Sequence, residues 1–225
     1  MKYKDLKIAI DGPASSGKST IAKLLADEFQ LVYVDTGAMY RTLTYLALKN
    51  NVEVNDEQSL ADLLKETEIT FKRDKNGQEV FANEENVTEA IRQNDVTNNV
   101  SVVSSFPKVR EELVRRQQVI SEQSGVVMDG RDIGTVVLPN ADVKIFLVAS
   151  VEERAERRYL ENKEKGIESD FERLKQEIID RDEYDTNRKV SPLKQAQDAV
   201  RLDTTSLSIP EVVKKSIEII NNKIK

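Results

Sequence analysis

Residues 12–20 read GPASSGKST and satisfy the pattern G-x-x-x-x-G-K-[ST] with Gly12, Gly17, Lys18 and Ser19. The apolar run 7–10 precedes them and a stretch of helical pattern, 20–29, follows; this strand–loop–helix setting is what makes the pattern a phosphate-binding loop. Gly12 and Gly17 allow the backbone to curl so that its N–H groups form a concave anion nest at a helix N-terminus. Lys18 can reach the β- and γ-phosphates of a nucleoside triphosphate, and the Ser19 hydroxyl can hold Mg²⁺. The whole stretch Gly12, Pro13, Ala14, Ser15, Ser16, Gly17, Lys18, Ser19 and Thr20 is therefore the candidate nucleoside triphosphate-binding loop. The bland alternative is a glycine-rich turn carrying an exposed lysine, and the flanking pattern argues against it.

The rest of the chemistry is bounded by two absences. The chain has no cysteine and no histidine. Thiolate nucleophiles, disulfides, Cys-based zinc sites, Ser-His-Asp triads and His general bases are all excluded. A guanine-reading Asn-Lys-x-Asp is also missing. The strand that would support the metal ends VVMDG: Asp129 can hold Mg²⁺ or its waters, but Gly130 follows where a hydrolytic ATPase commonly places a water-orienting glutamate. Transfer to a phosphate acceptor fits these limits. A phosphate monoester has a second pKa of about 6 and is already nucleophilic at neutral pH, so no general base is needed. What such a reaction needs is relief of repulsion between two polyanions, by Mg²⁺, Lys18 and converging guanidiniums.

Arginines recur after the second, third and fourth apolar runs, where open α/β sheets bind ligands. Arg41 follows DTGAMY, Arg131 follows Asp129-Gly130, and Arg154, Arg157 and Arg158 cluster in EERAERR. Arg181, Asp185 and Arg188 are spaced by four and three, which places them on one face of a helix. Taken singly, each is as well explained by a surface ion pair contributing a few tenths of a kcal/mol. Four clusters at the same expected edge are harder to explain that way.

The elements that must position these groups are legible as short β-branched runs at 7–10, 31–34, 126–128, 144–149 and 199–202. Most lack polar alternation, as expected of parallel strands covered on both faces. Helical patterns lie around 18–29, 37–50, 108–123, 150–165, 170–184 and 208–222. Ser150-x-x-Glu153 and Ser208-x-x-Glu211 read as capping boxes, the second with Pro210 in the first turn. The expectation is an open, doubly wound parallel sheet. Residues 68–83 break the alternation as two strands joined around Asn76-Gly77, inside a polar stretch 51–100, and predict an inserted lobe with a small antiparallel sheet.

The length of 225 residues suits one α/β domain with an insertion. No apolar stretch approaches the ~20 residues of a membrane span, and MKYKDLKIAID runs into the first strand without a targeting pattern. The expectation is a cytoplasmic protein, with a monomer as the default. The net charge of −6 argues against gripping a nucleic-acid backbone.

In this order, GPASSGKST, DTGAMYR, FPKVRE, DGRDIGTVV, KIFLVAS, EERAERR and RDEYDTNR resemble bacterial cytidylate kinases over nearly the whole chain. The resemblance implies a P-loop kinase fold: a three-layer α/β core with a five-stranded parallel sheet, a monophosphate-binding lobe and a short helical lid. Core 1–35, 106–153 and 168–225, lobe 36–105 and lid 154–167 are the implied divisions. It implies transfer from ATP–Mg²⁺ to CMP or dCMP in pyrimidine nucleotide metabolism. Ser101, Arg110 and Asp132 become the cytosine-binding positions; Arg41, Arg131 and Arg188 the acceptor-phosphate contacts; Arg181 and Asp185 the sugar contacts. Thr36 stands where the family often has serine, and either hydroxyl can serve the acceptor nucleotide.

The base assignment has its own chemical logic. A carboxylate accepts from the cytosine N4 amino group but would face a carbonyl in uracil, a match worth ~1–3 kcal/mol of discrimination. Alternatively, Asp132 caps the helix that follows. Arg154, Arg157 and Arg158 are expected to close over the ATP phosphates. Arg158 joins Lys18, Arg131 and Arg188 in the candidate catalytic set, although spacing does not decide among the three lid arginines. A related kinase for UMP or dTMP, and a nucleotide sensor without transfer, are the competing readings.

Overall fold

The computed structural model describes residues 3–74, 77–164 and 166–224. They form two compact units, one of Met1–Tyr33 and Ile120–Lys225, the other of Val34–Val119.

The chain opens with β1 (Lys7–Asp11), the phosphate-loop stretch, α1 (Lys18–Phe29) and β2 (Val32–Asp35). It continues through α2 (Thr36–Lys49), α3 (Glu57–Lys65), β3 (Ile69–Asp74), β4 (Gly77–Ala82), β5 (Glu85–Asn86), α4 (Asn94–Val103) and α5 (Pro107–Gln123). It then returns as β6 (Val126–Gly130), β7 (Val143–Val148), α6 (Val151–Glu164), α7 (Phe171–Asn187), β8 (Val200–Asp203) and α8 (Ile209–Lys223).

The first unit is organised by a five-stranded sheet in the order β2-β6-β1-β7-β8. β1 pairs in parallel with β6 and β7, and β7 with β8. The runs without polar alternation are indeed the buried ones: Ile8, Ile10, Val127, Ile145 and Leu147 pack with Leu25 of α1 and Val212 and Ile220 of α8. Burying each such side chain is worth about 1.5–3 kcal/mol, so the sheet is held by its own apolar strands. The parallel register sets Ile10 beside Asp129 and Asp11 beside Gly130, which brings the start of the phosphate loop level with the end of β6.

Capping follows the sequence in part. Glu211 accepts from the Ser208 backbone N–H at 2.9 Å and from its hydroxyl at 2.6 Å, starting α8. At α6 only half the expected box forms. The Glu153 N–H donates to Ser150 Oγ at 3.2 Å, but the Glu153 carboxylate accepts from Arg157 instead.

The second unit has a separate core, in which Met39, Leu43, Leu60, Leu64, Ile91, Val100, Val109 and Leu113 are buried together. Its sheet has three strands, β3-β4-β5, where two were expected; β5 pairs with β4 through Phe81–Asn86 and Ala82–Glu85. The expected hairpin forms, with Asp74 opposite Gly77, so that Gly77 opens β4 instead of lying between the strands; Asn76 lies outside the described residues. Two helices were not legible in the polar stretch. α3 buries only Leu60 and Leu64 and starts where the Asp56 carboxylate accepts from Gln58 and Ser59 N–H groups. α4 reads NDVTNNVSVV, a run of weak helix formers. Burial of Val96, Val100 and Val103 on one face overrides that propensity and sets the place of Ser101.

Candidate active site

The phosphate loop is built by steric necessity. Gly12 has φ 152°, and a side chain there would run into the Leu147 carbonyl of the neighbouring strand. Gly17 has φ 87° and precedes α1 without any side-chain cap, which leaves the first N–H groups of the helix to an anion. Ser15 also adopts a left-handed φ of 57°. The Ser16 hydroxyl is buried with no hydrogen-bond partner, a polar atom the fold itself does not satisfy. Lys18 is buried at the first helical position, and its Nζ donates to the Pro13 carbonyl at 2.7 Å. Burial, and then the Arg131 charge, push the Lys18 ammonium down to about 7, with Asp129 and Asp11 opposing. A polyanion placed among these cations reverses that balance and favours the charged lysine.

Beside the loop, Ser19 Oγ donates to Asp129 Oδ2 at 2.8 Å, and the Tyr33 hydroxyl donates to Asp129 Oδ1 at 2.8 Å. One hydroxyl and one carboxylate suit Mg²⁺, which prefers few protein ligands and completes its shell with phosphates and water. No cluster of three or more acidic side chains able to hold a metal by itself occurs among the described residues.

On the same unit, Arg131 Nε donates to Asp185 Oδ2 at 2.8 Å. Arg188 lies 4.0 Å from Asp185 Oδ1 and 3.8 Å from Asp132 Oδ1. Burial opposes ionisation of Asp185, but Arg131, Arg181 and Arg188 outweigh it and hold the carboxyl below its usual range. Burial and then the Arg131 charge bring Arg181 down to about 10, and its Nε is buried without a partner. Asp132 is buried but makes no side-chain cap to the single π-helical turn Ile133–Val137 that follows it. The capping role weighed for it from sequence is therefore absent. Arg188 also departs from the expected helical face: α7 ends at Asn187, and Arg188 has extended backbone with its Nε donating to the Ser191 carbonyl at 2.7 Å.

Thr36, Arg41, Ser101 and Arg110 belong to the second unit. Thr36 opens α2, whose N-cap Asp35 accepts from the Ala38 N–H at 2.9 Å. Arg41 Nη1 donates to Thr97 Oγ1 at 2.8 Å and to the Ile91 carbonyl at 3.3 Å. Arg110, 2 % exposed, donates to the Ser104 carbonyl at 3.0 Å and lies 5.3 Å from the centre of the Tyr40 ring. Ser101 takes its position from the buried valines of α4.

The three arginines of α6 differ. Arg154 is buried and fully engaged: its Nε donates to the Ala149 carbonyl, Nη1 to the Ala14 carbonyl at 3.1 Å, and Nη2 pairs with Asp182 at 2.6 Å. Arg157 donates to the Thr204 carbonyl at 2.7 Å, to Thr204 Oγ1 at 3.1 Å and to Glu153. Arg158 has no hydrogen-bond or ion-pair partner among the described residues, and its charge helps to depress Arg181.

With this geometry in place, known proteins are informative. The family model described as cytidylate kinase matches residues 8–222. The chain belongs to the cytidylate kinase family. It is 60% identical to the cytidylate kinase of Anoxybacillus flavithermus over 221 residues, 98% of each chain. It is 57% identical to that of Bacillus subtilis over 220 residues, again 98% of each. A solved structure of an uncharacterized protein from Eubacterium ventriosum aligns with a TM-score of 0.55 at 11% identity, covering 97% of this chain and 99% of that one, a likeness of fold alone. As a cytidylate kinase family member the chain is a nucleoside monophosphate kinase, a phosphotransferase.

Several of these partners were not legible in the sequence. Tyr33 on Asp129, Thr97 on Arg41, Tyr40 on Arg110, Asp182 and Ala14 on Arg154, and Thr204 on Arg157 are all distant in sequence from the residue they serve. The one available signal was the apolar run that carries Tyr33 into an otherwise aliphatic strand.

Proposed function

We propose that this kinase transfers the γ-phosphoryl group of ATP–Mg²⁺ to CMP or dCMP, giving ADP and CDP or dCDP. The observation that carries the reading is the meeting, in one unit, of the phosphate loop with a buried arginine–aspartate cluster. Lys18 feels the charges of Arg131 and Arg181 directly, and Arg131 and Arg188 both face Asp185.

In this reading the loop 12–20 holds the donor phosphates. Mg²⁺, where bound by Ser19, Asp129 and the nucleotide, supplies charge neutralisation on the phosphates. Arg41, Arg131 and Arg188 take the acceptor phosphate, Arg181 and Asp185 the sugar, and Ser101, Arg110 and Asp132 the cytosine, with Thr36 a further hydroxyl donor to the acceptor nucleotide. Asp132 supports its role by being buried and not spent on capping. Ionised, it accepts from the N4 amino group and disfavours uracil.

Of the lid arginines, Arg158 is the one we assign to the transferring phosphoryl group, because Arg154 and Arg157 are committed to backbone carbonyls. The acceptor phosphate supplies its own nucleophilic oxygen, which suits a chain without histidine. The same reading makes the enzyme a cytoplasmic monomer acting on free nucleotides; light scattering coupled to size exclusion checks the oligomeric part. No described helix is long and apolar enough to cross a membrane.

The deciding experiment is ADP release measured across CMP, dCMP, UMP, dTMP, AMP and GMP. The expected outcome is strong preference for CMP and dCMP. Equal turnover of CMP and UMP, or preference for a purine monophosphate, would remove the cytosine assignment, and ATP binding without any CDP formed would make the chain a sensor.

A further inference from the structure

Asp132 occupies the position before the turn Ile133–Val137, where a short polar side chain ordinarily satisfies the first free N–H groups. It does not do so here. The Ile133 N–H donates to Asp11 Oδ1 at 2.8 Å, and the Gly134 N–H donates to Asp11 Oδ2 at 2.7 Å. Asp11 is the last residue of β1, 122 positions away from Ile133, and 4 % exposed. Both of its carboxylate oxygens are thus used on the segment directly after Asp132.

The surroundings are shaped for this contact. Parallel pairing of β1 with β6 sets Asp11 opposite Gly130, two residues before Asp132. At Gly134 a Cβ would lie 3.4 Å from Asp11 Oδ2 and 3.1 Å from Lys144 Cδ, so this segment packs closely on both side chains. Asp132 itself has φ −142° and ψ 25°, outside the regular helical and strand values, and its carbonyl accepts from the Val136 and Val137 N–H groups. A single π-helical turn is an uncommon element that recurs at functional sites. Its first two N–H groups are satisfied from another strand, and the Asp132 side chain, which makes no cap, lies 3.8 Å from Arg188.

We propose that Asp11 is a positioning residue for base selection: by accepting from the Ile133 and Gly134 N–H groups, it fixes the turn that orients the Asp132 carboxylate for the nucleotide base. The inference rests on the reading of Asp132 as the cytosine reader. It also ties base reading to the phosphate loop, because Asp11 is bonded directly to Gly12.

The test compares kcat/KM for CMP and UMP in the full-length wild type, Asp11→Asn, Asp132→Ala and the double variant, with the ATP KM measured in each. Asp11→Asn keeps the size of the side chain and one acceptor oxygen, so one of the two N–H bonds is lost. The expected result is a CMP/UMP ratio reduced about 5–10-fold in Asp11→Asn, with the ATP KM within about 2-fold of wild type and a double variant no less selective than Asp132→Ala alone. A purely structural role for Asp11 lowers turnover of both substrates together and leaves their ratio unchanged, which overturns the proposal. An unchanged ratio in Asp132→Ala overturns the base-reader reading itself; a narrowed ratio there with an unchanged one in Asp11→Asn overturns only the role of Asp11. Should Asp11→Asn fail to fold, Asp11→Glu takes its place: the extra methylene shifts both acceptor oxygens relative to the Ile133 and Gly134 N–H groups, a narrowed ratio supports the proposal and an unchanged ratio overturns it.

Discussion

The hydroxyl of Ser19 donates to Oδ2 of Asp129 at 2.8 Å, joining two residues 110 positions apart. One ends the phosphate loop and the other sits in β6, and Tyr33 holds the second carboxylate oxygen of Asp129 at 2.8 Å. Two hydroxyls from separate stretches thus converge on the Asp129 carboxylate. This is the donor set expected to meet Mg²⁺ once ATP supplies the remaining oxygens.

Replacing Asp129 by Asn should raise the Mg²⁺ concentration for half-maximal turnover about 100-fold, and Tyr33→Phe about 10-fold, following the usual effects of ligand and outer-shell changes. Chelation with EDTA should abolish turnover in all variants. ADP release titrated against Mg²⁺ checks this; an unchanged Mg²⁺ dependence in Asp129→Asn would remove Asp129 from metal binding.

Lys18 is surrounded by Arg131 and Arg181 and already donates to Pro13. Its charge matters when phosphate charge shifts during transfer, so Lys18→Ala should lower kcat about 1,000-fold while the KM for CMP moves less than about 3-fold. Steady-state kinetics with both substrates varied separates the two effects.

Arg154 and Arg158 should fail in different ways. Arg154→Ala strands the Ala14 and Ala149 carbonyls and the Asp182 carboxylate, and a broken ion pair with a buried arginine costs about 3 kcal/mol. In a chain this long that is a fall in Tm of about 10 °C. Arg158→Ala should leave Tm unchanged and lower kcat about 100-fold, as loss of one charged group from a transition-state clamp does. Calorimetry and kinetics on the two variants give opposite patterns.

Asp11 links stability to pH. Burial raises its carboxyl from 3.8 to about 6; the N–H groups of Gly134 and Ile133 and the charge of Lys18 oppose the rise, and Asp132 adds to it. Between these values the folded protein holds a proton that the unfolded chain has lost, so this contribution is fully present at low pH and disappears as pH rises to about 6. Asp11→Asn has no such group. Its Tm relative to wild type should therefore climb from pH 4 to pH 6.5, by the equivalent of about 3 kcal/mol, and then stay level. Paired melts across that range check the slope, and a difference independent of pH would contradict it.

The chemistry and its main supports were readable because they are local. Gly12 and Gly17 take the positive φ angles that their type permits, and the buried strands are the runs without polar alternation. Absence of histidine and cysteine, read directly, pointed to an acceptor that brings its own nucleophile. The lobe was less legible. α4 is helical against its composition because three valines find a core, and β5 is only two residues long, too short to carry a pattern.

What the tertiary structure alone decided is the division of labour among like residues. Three arginines within five positions look equivalent in sequence, yet Arg154 is taken by Ala14, Arg157 by Thr204, and Arg158 by neither. Asp11 and Asp132 are both loop-edge aspartates, and the register of β1 against β6 brings the first, not the second, to cap Ile133 and Gly134. Residue type determines which bonds a side chain can make. Which bond it does make depends on groups more than 100 positions away, and their arrival is set by packing of the sheet rather than by anything near them in the chain.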